Sequence, residues 1–277
     1  MKQVSQDETV KSLEKALRLL ICFDPDNLEL RNIDLVRKTG LSKATVHRIL
    51  STFAKFAILE RRDTTEKYTV GPALYTLGSL YLYTTDVLKA LEPVTKTLNN
   101  LTEEAVNVAI YDKSNIVFVM REEPKYAFRF AIHIGTVLPA YATALGRAFL
   151  SELTESQVDS LYPQEALHPI TPKTITSREA LKSALNEVKR TGTSIDIEGG
   201  VEGVEGIASL IRDVTGKAVA AMGIGVPIFR MDKAKRKRFA SLVKMACSLA
   251  SYRLGYRQGE QLVRNLEELS SWWEHNE

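Results

Sequence analysis

Apolar residues recur at helical spacing from the start of the chain. In residues 9–23 (TVKSLEKALRLLICF), Leu13, Ala16, Leu17, Leu20 and Ile21 form one stripe, and Pro25 between Asp24 and Asp26 stops the helix. Residues 30–38 (LRNIDLVRK) repeat the helical pattern with Leu30, Ile33, Leu35 and Val36 and end at Thr39-Gly40, where glycine can take the left-handed conformation. Ser42 is placed to cap a helix running to about Phe56, with Val46, Ile49, Leu50 and Phe53 on its buried side. Residues 58–62 and 67–70 then read as two short strands joined by a turn at 63–66. Helix, helix, short glycine turn, helix and hairpin is the order of a winged helix-turn-helix.

From residue 72 to about 90, Leu74, Leu77, Leu80 and Val87 predict a connector helix, with Glu92-Pro93 as its end or a kink. Beyond it the texture changes to short strands alternating with helices. Strands are expected at 105–110, 116–120, 128–134, 194–197, 206–212 and 218–224, and helices at 143–150, 156–161, 177–190 and 232–254. This is an α+β fold: an antiparallel sheet with helices segregated around it, a sensor-like domain. The predicted organisation is a head at 1–71, a connector at 72–90, a sensor-like domain at 91–255 and a tail at 256–277. In the tail, Leu262, Leu266, Leu269 and Trp273 define an amphipathic helix, expected to pack on the sensor-like domain or a neighbouring subunit.

Charge sharpens the reading of the head. The chain of 277 residues carries a formal charge of +3. Between Leu28 and Gly71 nine Lys/Arg stand against five Asp/Glu, an excess of +4, which leaves about −1 for the remainder. The exposed side of the third helix offers Lys43, Thr45, His47 and Arg48, with Ser42 at its cap. Arg61, Arg62 and Lys67 on the wing are placed for phosphates. A helix-turn-helix also serves as a protein-contact module, so an interaction module with a small-molecule sensor domain that does not read DNA is the alternative. The run KAKRKR at 233–238 begins a helix, where positive charge is mildly unfavourable, and reads as a solvated face.

Other chemistry is excluded by pattern. Cys22 and Cys247 lie far apart without CxxC spacing, and four scattered histidines form no HxxxH or HExxH. No nucleophile–base pair, metal set or cofactor motif assembles, so neither an enzyme nor a cofactor is expected. No apolar run reaches the roughly 18 residues of a membrane helix, and the N-terminus is polar, so a cytoplasmic protein without membrane contact is expected.

Three ordered motifs carry a resemblance. TGLSKATVHRILSTF, followed by ILERR and KYTVG, resembles the DNA-binding half of the IclR-type bacterial transcriptional regulators. GTVLPAYATALGRAFL is similar to that family's G-x-x-L-P-x-H-A-T-A-x-G-K-A signature, with Tyr141 in place of the histidine. DIEGGVEGVEGIASLIRD with GIGVPIFR resembles its late effector-domain segments. The resemblance implies a homodimer or homotetramer that binds a palindromic DNA operator and is switched by a small metabolite. It implies that the domain at 91–255 is a GAF-like effector-binding domain and that Leu138, Ala144, Leu145, Asp196, Val204, Gly206, Gly223 and Gly225 line the effector site. Arg129 is a surface residue or a partner for an anionic effector.

The segment IDIEGGVEGVEGI (195–207) holds four glycines and four acids. It is not a phosphate loop: a strand pattern follows Gly206, no Gly-Lys-Ser/Thr is present, and the acids would repel phosphate. The resemblance puts a cysteine at Gly206 and serines at Gly223 and Gly225. Their replacement by glycine predicts a wider wall and an effector larger or less polar than a two-carbon acid, such as an aromatic or other bulky acid. The alternative is that these glycines only satisfy strand packing.

Overall fold

The computed structural model of the protein describes residues 10–24, 27–62, 64–84, 86–127, 130, 132–258 and 262–276. It divides into two compact units, Met1–Thr85 and Asp86–Glu277. Among the described residues no helix is long and apolar enough to cross a membrane. The expected first residue of helix one (Thr9), its stop at Pro25 and Asp26, Asp63 of the wing turn, and Arg129 lie outside the described residues.

The first unit contains α1 (Lys11–Leu20), β1 (Glu29–Arg31), α2 (Asn32–Thr39), α3 (Lys43–Lys55), β2 (Leu59–Arg62), β3 (Lys67–Val70) and α4 (Pro72–Thr84). Its core is Leu19, Leu30, Leu35, Val46, Leu50, Phe53, Leu59 and Tyr68. Gly40 adopts φ +69°, which ends α2 and turns the chain into α3. β1 is not among the expected elements. Residues 29–31 are a strand rather than the flank of a helix, because Leu30 drops into the core while Glu29 and Arg31 face out. The strand pairs with Lys67–Thr69, giving a three-stranded sheet in the order β1-β3-β2. Only Leu19 of α1 is buried, whereas Leu13, Leu17 and Ile21 of the expected stripe are exposed. The stripe exists, but this unit does not cover it.

The second unit opens with α5 (Asp86–Thr102), so the helical run expected to end near residue 90 continues to residue 102. α5 continues through Pro93 rather than ending there. Leu88, Leu91, Val94 and Leu98 are all buried along it. Each such burial contributes about 1.5–3 kcal/mol, against about 3 kcal/mol for an interior proline, so packing wins. Arg253 Nε donates to Ala90 O at 3.1 Å, adding a donor beside the site where proline supplies none.

The strands are β4 (Ala105–Asp112), β5 (Asn115–Glu122), β6 (Val137–Pro139), β7 (Ser194–Ile197), β8 (Val204–Arg212) and β9 (Ala218–Pro227). They form one antiparallel sheet in the order β6-β5-β4-β9-β8-β7. The strand expected at 128–134 is absent at Phe130, Ile132, His133 and Ile134; Phe128, Arg129 and Ala131 lie outside the described residues. The chain turns there, with Ile132 N donating to Phe130 O at 3.0 Å and Thr136 N to His133 O at 3.0 Å. Helices α6 (Ala144–Leu150), α7 (Glu155–Leu161), α8 (Arg178–Thr191), α9 (Lys233–Arg253) and α10 (Leu266–His275) complete the unit.

Side-chain size alternates along the central strands. Val106, Val108, Ile207, Ile211, Met222, Ile224 and Val226 fill one face and pack with α5, α9 and α10. Asn107, Ala109, Gly206, Ala208, Ala221, Gly223 and Gly225 occupy the other face. There the small residues let α6 approach closely, and a cavity remains.

The basic run at the start of α9 is only in part a solvated face: Lys233 and Lys237 are exposed, but Arg236 and Arg238 are engaged by their own chain. Arg236 forms a two-pronged bond to the buried Glu205 (Nη2–Oε2 2.7 Å), and Arg238 lies 4.0 Å over the Trp273 ring. The unfavourable charge at the helix start is offset by the Asp232 carboxylate, which caps Lys235 N at 2.8 Å. α10 packs on α5 and α9 of its own chain, with Leu269 and Trp273 buried.

Candidate functional site

In the head, α3 buries Val46, Leu50 and Phe53, and so turns Lys43, His47 and Arg48 outward. Ser42 Oγ accepts from Thr45 N at 3.3 Å and bonds Thr45 Oγ1 at 2.9 Å. Thr45 is therefore half-buried and committed to the cap, and the outward face is cationic. Among the described residues Lys43 and Arg48 form no ion pair. The wing differs: Arg61 pairs with Glu66 at 3.0 Å, and Arg62 and Lys67 share Glu29 at 3.7 and 3.4 Å. All eight residues read from the sequence as DNA-facing lie in this unit, but the wing cations are partly neutralised by their own chain.

In the second unit, Leu138, Ala144, Leu145, Asp196, Val204, Gly206, Gly223 and Gly225 line one cavity of about 50 Å³. Asn107, Phe118, Phe130 and Thr143 join them. Gly206 and Gly225 are register partners on β8 and β9. They form the floor, with Ala144 of α6 above Gly206.

Asp196 is the ionic centre of this wall, and its oxygens are already engaged. Arg147 Nη2 donates to Asp196 Oδ1 at 2.7 Å and to Ile195 O at 2.9 Å. Gly199 N and Gly200 N both donate to Asp196 Oδ2 at 3.1 Å. Both side chains of the ion pair are more than nine-tenths buried. Burial pushes the Asp196 carboxyl above its ordinary range, and the charge of Arg147 with the two glycine N–H groups pulls it back. Asp196 thus anchors the loop at 198–200. Thr171 Oγ1 holds the same loop through Glu198 O at 2.6 Å, and Thr174 Oγ1 through Gly199 O at 2.7 Å.

This answers what the glycine-rich run is for. A Cβ on Gly199 would meet Asp196 Oδ1, and one on Gly200 would stand 2.8 Å from Thr143 Cγ2. The loop backbone must come this close for its N–H groups to reach the carboxylate. At Gly223 a Cβ would strike Ile207 O, so that glycine belongs to strand packing. At Gly225 it would stand 2.5 Å from Phe130 Cζ. The wall expected to be wide is filled by the chain's own ring in this structure.

Tyr141, which replaces the signature's histidine, points away from the cavity. Its hydroxyl donates to His168 O at 2.7 Å, and its ring meets Tyr162 edge-on. Burial raises the pKa of both tyrosines. Sequence reading misses Arg147, Asn107 and Phe130. A signal exists for Arg147, a lone cation within the apolar run ALGRAFL, every residue of which is buried. None exists for Phe130, whose role depends on a strand distant in sequence.

A larger cavity of about 420 Å³ is lined by Lys189, Arg212, Lys244 and Arg257. These cations donate to Leu153 O, the Glu152 carboxylate, Thr191 O and Tyr252 O, and so are already engaged by their own chain. The smaller cavity has the apolar lining and few convergent polar groups of a metabolite site.

Comparison with known proteins agrees with both halves. The IclR helix-turn-helix domain profile matches residues 12–63, and the profile described as bacterial transcriptional regulator IclR C-terminal matches residues 79–252. The chain is 28% identical over 247 residues to the HTH-type transcriptional regulator XynR of Escherichia coli, covering 89% of this chain and 98% of that protein. A putative transcriptional regulator from Rhodococcus sp. RHA1 is similar in structure, with TM-score 0.75 and 28% identity, covering 89% of this chain and 98% of that one. An IclR homolog from Microbacterium hydrocarbonoxydans, solved in complex with 4-hydroxybenzoate, shares the fold at TM-score 0.76 and 23% identity, covering 88% of this chain and 98% of that one. With the winged head, the α+β second unit and profiles matched across both, the chain belongs to the IclR family of bacterial DNA-binding transcriptional regulators.

Proposed function

We propose that the protein is a dimer or tetramer that reads a palindromic operator through α3 and is switched by a small organic effector held in the cavity over Gly206 and Gly225. The observation that carries the DNA reading is the outward face of α3, where Lys43 and Arg48 stand beside His47 without carboxylate partners among the described residues. Such unpaired cations on a recognition helix suit base edges and phosphates. Two heads are needed to read a two-fold site. The exposed stripe Leu13, Leu17 and Ile21 on α1, with Leu77 and Leu80 on α4, supports association with a second copy.

The effector reading rests on the cavity's chemistry. Its lining is mostly apolar, and its nearest cations are already held, Arg147 by Asp196 and Arg121 by Glu123. A two-carbon acid would find one hydroxyl there, that of Thr143, which already caps Gly146 N at 3.0 Å, and among the described residues no cation in the lining, so the effector is less polar than that. The 4-hydroxybenzoate bound by the Microbacterium homolog is a compound of this kind. Effector binding alters operator affinity only through its different affinity for the two states of the protein.

Selection of duplexes from a random pool near physiological salt tests the reading, with enrichment of a palindrome expected. Replacing both Lys43 and Arg48 with Ala weakens operator binding by at least about tenfold and lowers the salt slope of log K by about 1 for each phosphate that is no longer neutralised. The pair Arg61→Ala and Arg62→Ala costs less, because Glu66 and Glu29 already share those charges. Binding that ignores both salt and the α3 substitutions would instead mark the head as a protein-contact module.

A further inference from the structure

We infer that the ring of Phe130 occupies the effector's own place in the free chain, and that the effector carries a single aromatic ring that takes over this position on the Gly206–Gly225 floor. The inference rests on the proposed reading of this cavity as the effector site and adds its ligand class and its resident competitor.

Four observations carry it. The open volume is about 50 Å³. An apolar cavity that binds benzene measures about 150 Å³, so a ring of that size does not enter here without displacing a side chain. The side chain in the way is Phe130, because its ring tip lies where a Cβ on Gly225 would be, 2.5 Å from that point to Cζ. The second wall cannot give in the same way, since a Cβ on Gly206 already stands 3.3 Å from Ala144 Cβ on the closely packed α6. Behind the ring, the Arg121 guanidinium lies 5.0 Å from its centroid and is fixed by Asn107 Oδ1 at 2.7 Å and Glu123 Oε1 at 2.8 Å.

The site is therefore shaped for a flat ring. A glycine floor lies under the ring tip, a guanidinium lies against the ring, and Phe118, Leu138 and Leu145 are part of the apolar wall. An incoming aromatic ring inherits the apolar contacts and the cation–π contact with Arg121, which is held independently of Phe130's side chain. Phe130 is the aromatic side chain lying over Gly225, and it belongs to none of the sheet's strands, so it can leave while the floor stays. The cost of expelling it reduces the apparent affinity of any effector by the fraction of chains in which the place is vacant.

Phenol serves as the aromatic probe and glycolate as the two-carbon acid, titrated calorimetrically into the full-length protein and its variants. Phe130→Ala is expected to bind phenol at least about tenfold more tightly than the unmodified protein, because an emptied apolar cavity of phenyl size accepts a benzene ring. Phe130→Leu, which keeps most of the packing, gives a smaller gain in the same direction and covers the case in which the alanine variant does not fold. Glycolate binding is expected in neither. Equal or weaker phenol binding by folded Phe130→Ala or Phe130→Leu overturns the inference. Operator binding, measured with and without saturating phenol, separates the two levels. Tighter phenol binding by the variant with no change in operator affinity supports Phe130 as the resident ring and removes the effector role of the cavity. Operator release by another metabolite, combined with unaltered phenol affinity in both variants, keeps the effector role and overturns the inference.

Discussion

Asp196→Ala lowers the stability of the second unit by about 3–5 kcal/mol, because it leaves the buried Arg147 guanidinium without its counter-charge. At this domain size that corresponds to a fall in melting temperature on the order of 10 °C. The substitution also frees Gly199 N and Gly200 N, so the loop over the cavity loses its anchor. Arg147→Met leaves the complementary orphan, a buried carboxylate. The double variant Asp196→Leu with Arg147→Met removes both charges, and replacing a buried ion pair by apolar residues is often nearly neutral. A double-mutant cycle followed by thermal denaturation is the measurement. The double variant is expected to cost clearly less than the two single variants summed. Small and additive losses would instead mean that the pair contributes little and that the loop is held by Thr171 and Thr174 alone.

Trp273→Ala is the second large effect, at about 3–5 kcal/mol for an aromatic removed from a packed core. The indole stacks on Phe239 with centroids 5.7 Å apart and receives Arg238 on its face at 4.0 Å. Its ring partners Phe239 and Arg238 belong to α9 of the same chain, so the loss of melting temperature should not depend on protein concentration. Removing residues after Gln258 takes away Val263 and Leu269 as well and costs more than the point substitution. A concentration-dependent loss would place the tail's main contacts on another subunit. An unchanged melting temperature would remove its structural role.

The head is largely legible in the sequence. The 3.6-residue spacing of Val46, Ile49, Leu50 and Phe53 defines α3, Ser42 is its cap, and Gly40 marks the turn before it. These are signals between residues a few positions apart. β1 is not legible, because three residues carry too little period to be distinguished from the start of a helix. The course of α5 is not legible either, because four buried apolar side chains outweigh a local rule about proline. The stripe on α1 is plain in the spacing, yet whether it is covered within one chain is not a local property.

The cavity shows the same division. The eight positions implied by the resemblance all line it. Their chemistry is another matter. Asp196 reads from the sequence as an effector-facing acid, but its oxygens are held by Arg147, 49 residues away, and by two glycine N–H groups. The missing side chains at Gly223 and Gly225 read as open space. One glycine is required by the neighbouring strand's carbonyl, and the space at the other is filled by Phe130.

By itself, the sequence determined the helices and hairpin of the head, the cationic face of α3 and the antiparallel α+β character of the second unit, because each is written in spacing, capping and local charge; the glycine-lined wall came through the family resemblance. Only the tertiary structure decided which ions were already paired, which apolar stripe stayed uncovered and what filled the space a glycine leaves. Those outcomes depend on groups brought together by sheet register and helix packing, where partners lie tens of residues apart and no local period records them.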